Sequence, residues 1–197
     1  MEYKKLLITG FDPFGGESIN PSWEAVRLLP ERIGEYDLTK LQIPTEFCRA
    51  SAAVLEAAKE LEPDVILCVG QAGGRSGVTP EVVGINLREA RIADNAGFRP
   101  ENEPVVPGGP AAYFATLPVR EMVEAIRNAG LPASLSYSAG AFVCNDVLYT
   151  VLHDCSGTKV RAGFVHVPFL PEQAKEGVAS MPLEKITQAL KIAIEQL

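Results

Sequence analysis

Apolar residues along this chain recur in two alternating rhythms, short unbroken runs and runs spaced by three and four. Lys4 to Phe11 carries Leu6-Leu7-Ile8, the pattern of a strand buried on both faces of a parallel sheet. Asn20-Pro21 offers a helix cap with proline at the first helical position, and Trp23, Val26 and Leu29 give that helix an apolar face as far as Pro30. Tyr36 to Ile43 predicts a strand, Thr45 to Leu61 an alanine-rich helix closed by Glu62-Pro63, and Asp64 to Gly70 a second buried strand. Val82 to Ala93 predicts extended structure. Asp94 to Pro110, rich in Asn, Pro and Gly, predicts a long loop of the kind that covers a site or makes contacts. A helix over Pro118 to Ala129 ends at Gly130 and leads into an extended run, Ala133 to Ser138. After a turn at 139–142, Val143, Val147, Leu148, Val151 and Leu152 fall at helical spacing. Lys159 to Val167 predicts a strand, and Pro182 to Leu197 an amphipathic helix with Leu183, Ile186, Leu190, Ile194 and Leu197 on one face.

Strands alternating with helices predict a single α/β domain over residues 1–197, with chemistry in the loops at the sheet end. Three loops should converge there, 11–16, 70–75 and 139–144, with His166 at the end of a fourth strand.

Composition narrows the functions open to such a domain. With 47% hydrophobic and 22% charged residues the chain is globular, and a net charge of −7 argues against a nucleic-acid partner, which would need clustered Lys and Arg. No apolar stretch approaches the roughly 18 residues of a membrane span, so no membrane is expected and a cytoplasmic location is. Four cysteines at irregular spacing, with no CxxC, match neither a zinc framework nor a disulfide scaffold; reduced thiols and no metal are expected.

Cys144 then stands out, because it falls near a helix N-terminus, where unpaired N–H groups and the peptide dipoles favour a thiolate. Its other reading is a small buried hydrophobe beside Leu148 and Val151. A nucleophilic cysteine needs a base, and the chain has only two histidines. His153 lies about nine residues, or about 13 Å, further along the same helix and cannot reach the thiol. That leaves His166. Glu81 and Asp146 are both admissible as the acid that would orient it, and spacing does not choose between them.

The strings GFDPFGGE (10–17) with NPS (20–22), GQAGGR (70–75), EARIADN (89–95), SAGAFVCN (138–145) and GFVHVP (163–168) together resemble the pyroglutamyl peptidase I, or pyrrolidone-carboxylate peptidase, family over nearly the whole chain. The resemblance implies a three-layer α/β/α sandwich with a mostly parallel, twisted central sheet. It implies a cysteine exopeptidase, without metal or cofactor, that removes N-terminal pyroglutamate from peptides. It implies Cys144 as nucleophile, His166 as general base and acid, Glu81 as the orienting acid, and Arg91 near the oxyanion with the Cys144 N–H. It also implies a substrate pocket involving Phe11, Phe14, Gln71, Phe142 and Val143, and a homotetramer. The chain departs from many relatives at Ala141, where they carry threonine, and at Val82-Val83-Gly84, where they carry Arg-Val-Ala. Two other readings are an anion- or nucleoside-binding protein of a phosphorylase-like α/β fold, using Gly73-Gly74-Arg75, and a family member without activity.

Overall fold

The runs that read as buried on both faces form the middle of the sheet. In the computed structural model, which describes residues 3–197, the elements are β1 (Lys4–Phe11), α1 (Pro21–Leu28), β2 (Arg32–Ile33), β3 (Tyr36–Ile43), α2 (Arg49–Leu61), β4 (Val65–Gln71), β5 (Thr79–Pro80), β6 (Val83–Ile85), β7 (Ala112–Phe114), α3 (Val119–Asn128), α4 (Val143–Cys155), β8 (Arg161–Val167) and α5 (Leu183–Ile194). Six strands form one sheet in the order β2-β3-β1-β4-β8-β5. The four central strands are parallel, and the short β2 and β5 run antiparallel at the two edges. Strands β6 and β7 make a separate antiparallel pair.

Alternate side chains of the central strands feed two cores. Leu6, Ile8, Leu67, Val165 and Val167 face α1, α3 and α5, whereas Leu7, Ile66, Cys68, Ala162 and Phe164 face α2 and α4. The architecture is therefore a three-layer α/β/α sandwich. Fully burying each such aliphatic side chain contributes roughly 1.5–3 kcal/mol, which explains why these runs, and not the polar loops, set the layers. Because β3 lies on one side of β1 and β4 on the other, a crevice opens between the C-terminal ends of β1 and β4, the usual ligand position in open α/β sheets.

Several expected boundaries move. The helix expected from Thr45 starts at Arg49, because the 45–48 turn is held by three distant carboxylates. Asp12 Oδ1 accepts from Thr45 N at 2.7 Å, Asp94 Oδ2 from Phe47 N at 2.9 Å, and Asp146 Oδ2 from Cys48 N at 3.1 Å. These bonds hold Cys48 at φ 61°, outside the helical region. The extended stretch expected over Val82 to Ala93 pairs only at Val83–Ile85, and β2, β5 and β7 were not anticipated. Residues 94–110 form the expected loop, and it is strapped to the sheet end. Asp94 Oδ1 accepts from Ala96 N and Phe98 N, and Asn95 Nδ2 donates to the Pro13 carbonyl at 2.9 Å.

Candidate active site

Four chain segments meet at the C-terminal end of the parallel strands and enclose a cavity of about 370 Å³. Its wall contains Phe11 at the end of β1 and Phe14 beyond it, Gln71 at the end of β4 with Ala72, Gly73 and Arg75 beyond it, Ser138 to Gly140 with Phe142 before α4, Cys144 in α4 and His166 in β8. Asn20 and Thr45 complete it. Asn20 is placed by capping α1: its Oδ1 accepts from Ser22 N at 3.1 Å while its Nδ2 donates to the Asp12 carbonyl. Phe142 is held by edge-on contact with Phe47 at 5.1 Å between ring centroids, and Phe47 in turn meets Phe98 of the long loop.

The nucleophile candidate sits where the spacing predicted, second residue of α4. Phe142 accepts the first helical bonds, from Asn145 N and Asp146 N, so the Cys144 N–H, one turn too early for an intrahelical partner, finds no backbone carbonyl among the described residues. Gly70 makes room for the sulfur. A Cβ there would lie 2.9 Å from Cys144 Sγ and 2.7 Å from the Phe164 ring, closer than real contacts allow. The same glycine is the register partner of His166 across β4 and β8, so the sheet itself sets the thiol beside the imidazole strand.

His166 Nδ1 lies 2.7 Å from Glu81 Oε1, and both side chains are buried. A carboxylate can only accept, so Nδ1 carries the proton and Nε2 is left with the lone pair a base needs. Glu81 is fixed through its backbone, donating to the Phe164 carbonyl at 2.8 Å and bridging to Ser136. Its Oε1 also accepts from Arg75 Nη1 at 2.8 Å, while Oε2 is buried and makes no hydrogen bond among the described residues. Burial is the largest influence on Glu81 and pushes its pKa up; the hydrogen bond and charge of His166, then the Ser136 hydroxyl and Arg75, outweigh it and hold the group below its ordinary value. Burial lowers the His166 pKa and keeps the ring neutral, with Glu81 opposing and Arg75 assisting.

The thiol corrects an expectation. Burial pushes the Cys144 pKa up to about 12, and the charge of Glu81 adds to this, whereas Arg75 and the residue's own N–H pull it down. Desolvation thus outweighs the helix N-terminus effect and raises the thiol above its ordinary range.

The other expected residues divide. Phe11, Phe14, Gln71 and Phe142 line the cavity, but Val143 is wholly buried in the core beneath α4. Arg91 is exposed, lies outside the cavity wall, and has no hydrogen bond or ion pair among the described residues. Arg75 is the arginine in the wall, and sequence reasoning considered it only as an anion holder. Its guanidinium is already committed to Glu81, which disfavours the anion-binding reading. The departure at Gly84 lets β6 approach α4 closely, since a Cβ there would lie 3.0 Å from Leu148 Cγ. Asp146 is also buried, but it faces Arg88, Cys48 and Ser51 and not His166. His153 bonds to the Tyr113 hydroxyl, away from the site.

The chain matches a family model described as pyroglutamyl peptidase over residues 4–197. It is 50% identical over 194 residues to the pyrrolidone-carboxylate peptidase of Bacillus amyloliquefaciens, covering 96% of this chain and 90% of that one. The crystal structure of the pyroglutamyl peptidase I of that organism superposes with a TM-score of 0.94, covering 98% of this chain and 96% of that one. The pyrrolidone carboxyl peptidase of Thermococcus litoralis superposes with a TM-score of 0.93 at 37% identity, covering 98% and 92%.

Proposed function

Because the chain belongs to the pyroglutamyl peptidase family, we propose that it is a cysteine exopeptidase that removes N-terminal pyroglutamate from peptides. The observation that carries this reading is the buried Glu81–His166 hydrogen bond at the wall of a cavity that also contains Cys144. His166 Nε2 takes the Cys144 proton as the sulfur attacks the pyroglutamyl carbonyl, and Glu81 stabilises the imidazolium that forms. The Cys144 N–H, free of backbone partners, donates to the developing oxyanion. His166 returns its proton to the departing amine, leaving a thioester. Water, deprotonated by the same ring, then releases pyroglutamate and restores the thiol. The resemblance assigns Arg91 a share in the oxyanion site, and this role requires its side chain to swing in from the surface.

The cavity suits the lactam. Phe11, Phe14 and Phe142 supply apolar walls, and Gln71 supplies an amide for the ring's N–H or carbonyl. The wall contains Arg75 but neither Asp nor Glu, so a free N-terminal ammonium would lose its hydration with no anion to replace it. That supports selection of the neutral, cyclised end.

The same reading makes the protein a cytoplasmic enzyme, a location that suits its four free thiols. No helix among the described residues is long and apolar enough to cross a membrane. It also makes the protein a homo-oligomer, a tetramer by family resemblance, whose assembly would cover exposed apolar groups such as Phe114 and Ile92. Light scattering that found a monomer at assay concentration would refute the assembly.

The functional test is release of a chromogenic amine from a pyroglutamyl amide, with a prolyl amide as control. Cleavage should be confined to the pyroglutamyl substrate, abolished by iodoacetamide and absent in Cys144→Ser. A folded, reduced sample that cleaves neither amide, or a Cys144→Ser variant with full activity, would overturn the proposal.

A further inference from the structure

We propose that Arg75 is a positioning residue for the catalytic groups, holding Glu81 Oε1 against His166 and tying that carboxylate to the loop that carries the nucleophile. The inference rests on the roles given above to Cys144, His166 and Glu81. Arg75 Nη1 donates to Glu81 Oε1 at 2.8 Å and to the Thr79 hydroxyl, and Nη2 donates to the Ser138 carbonyl at 3.2 Å. Thr79 is itself the register partner of His166 across β5 and β8. One planar fork therefore spans the strand beside the base, the acid and the loop leading to Cys144.

The need for it follows from Glu81. Its Oε1 faces His166, but its Oε2 is buried without a firm partner, so the carboxyl on its own has two ways to fail. It can rotate and present the other oxygen, or it can take up a proton, which burial favours. A guanidinium on Oε1 opposes both, because a charge-assisted bond from a fixed fork is stronger and more directional than a neutral one. Lysine would keep the charge but could not hold Glu81 and Ser138 together.

Arg75 also sets protonation states. The titratable groups around it are Glu81, His166 and Cys144, with Cys68 of β4 behind the thiol. Its charge lowers the pKa of both His166 and Cys144, favouring the neutral base and easing loss of the thiol proton. Removing that charge must move both titrations upward in pH.

The test compares wild type, Arg75→Gln and Arg75→Lys, all checked for folding by thermal melting. Two readouts against pH are taken: alkylation of Cys144 by iodoacetamide in the absence of substrate, resolved from Cys48 by peptide mass mapping, and kcat and KM on a pyroglutamyl amide. Arg75→Gln should slow Cys144 alkylation roughly five- to tenfold at fixed pH, move both profiles upward, and lower kcat about 10²-fold with KM little changed. Arg75→Lys should return the profiles to the wild-type pH while recovering only part of kcat. Unmoved profiles in Arg75→Gln, or equal losses in the two variants, would reduce Arg75 to packing and overturn the proposal. If the profiles move but wild type cleaves no pyroglutamyl amide, the positioning role stands and the peptidase reading falls.

Discussion

Two buried carboxylates, each facing an arginine, do opposite work in this molecule. Asp146 bonds through both oxygens: Oδ1 meets Arg88 Nε at 2.5 Å, and Oδ2 accepts from Cys48 N at 3.1 Å and the Ser51 hydroxyl at 3.2 Å. It thereby caps α2, whose own N-cap residue Cys48 makes no side-chain cap bond, and pins that helix to α4. Glu81 concentrates its bonds on Oε1, shared by Arg75 and His166, and leaves Oε2 buried and unsatisfied. A buried ion bonded through both oxygens is a structural clamp; in the mechanism proposed above, Glu81 keeps its charge beside the ring that would become an imidazolium. The difference separates two acids that sequence spacing left equivalent.

The comparison breaks most visibly in rate. Glu81→Gln removes the charge that stabilises the imidazolium and disturbs the tautomer of His166, so kcat/KM should fall about 10³–10⁴-fold, the larger of its two effects, while the urea midpoint drops with the loss of the ion pair to Arg75. If Glu81→Gln turned over normally, the division of roles drawn here would be wrong. Asp146→Asn should do the reverse, leaving Arg88 buried without its counter-ion. A loss of about 3 kcal/mol in urea unfolding is expected, with activity per folded molecule within roughly tenfold of wild type.

A subtler effect concerns acid. Glu81 and His166 both have folded pKa values below their ordinary ones, so as pH falls the unfolded chain takes up protons that the folded site refuses. Their contribution to stability is therefore fully present above the ordinary histidine value of about 6.5 and is lost below it. The loss begins with His166 and resumes through the carboxylate range as pH approaches the folded value of Glu81. Urea midpoints measured at falling pH should trace this decline, and His166→Gln should lose its upper part. A midpoint that rose on acidification would contradict the sign. The smallest effect is expected at the other histidine: His153→Asn should cost only about 1 kcal/mol for the bond to Tyr113 and leave turnover unchanged.

Much of this arrangement is legible in the chain. The unbroken runs around Leu6 to Ile8 and Val65 to Val69 mark the central strands because burial on both faces leaves no polar position in the rhythm. Asn20-Pro21 marks a cap because the capping bond is local. Cys144 and His166 are legible as a pair because histidines are scarce, and Phe11, Phe14, Gln71 and Phe142 through the family resemblance, the structure placing them at the C-terminal ends of β1 and β4 and in the loops beyond. Arg75 was missed as a partner of the acid because its bond to Glu81 depends on how the 72–81 stretch folds back over β8.

What the sequence alone determined is the alternation of layers and the residue types at the sheet end, since both depend on neighbours a few positions apart. What only the tertiary structure decided is which acid hydrogen-bonds to the histidine, a choice that spacing left open and family resemblance alone had made, which way burial moves the thiol, and where α2 begins. Glu81 meets its histidine across 85 residues and Asp146 meets Cys48 across 98, and such contacts leave no local rhythm. Desolvation, a property of everything packed around the sulfur, raises the Cys144 pKa and exceeds the helix-terminus effect that the chain itself displays.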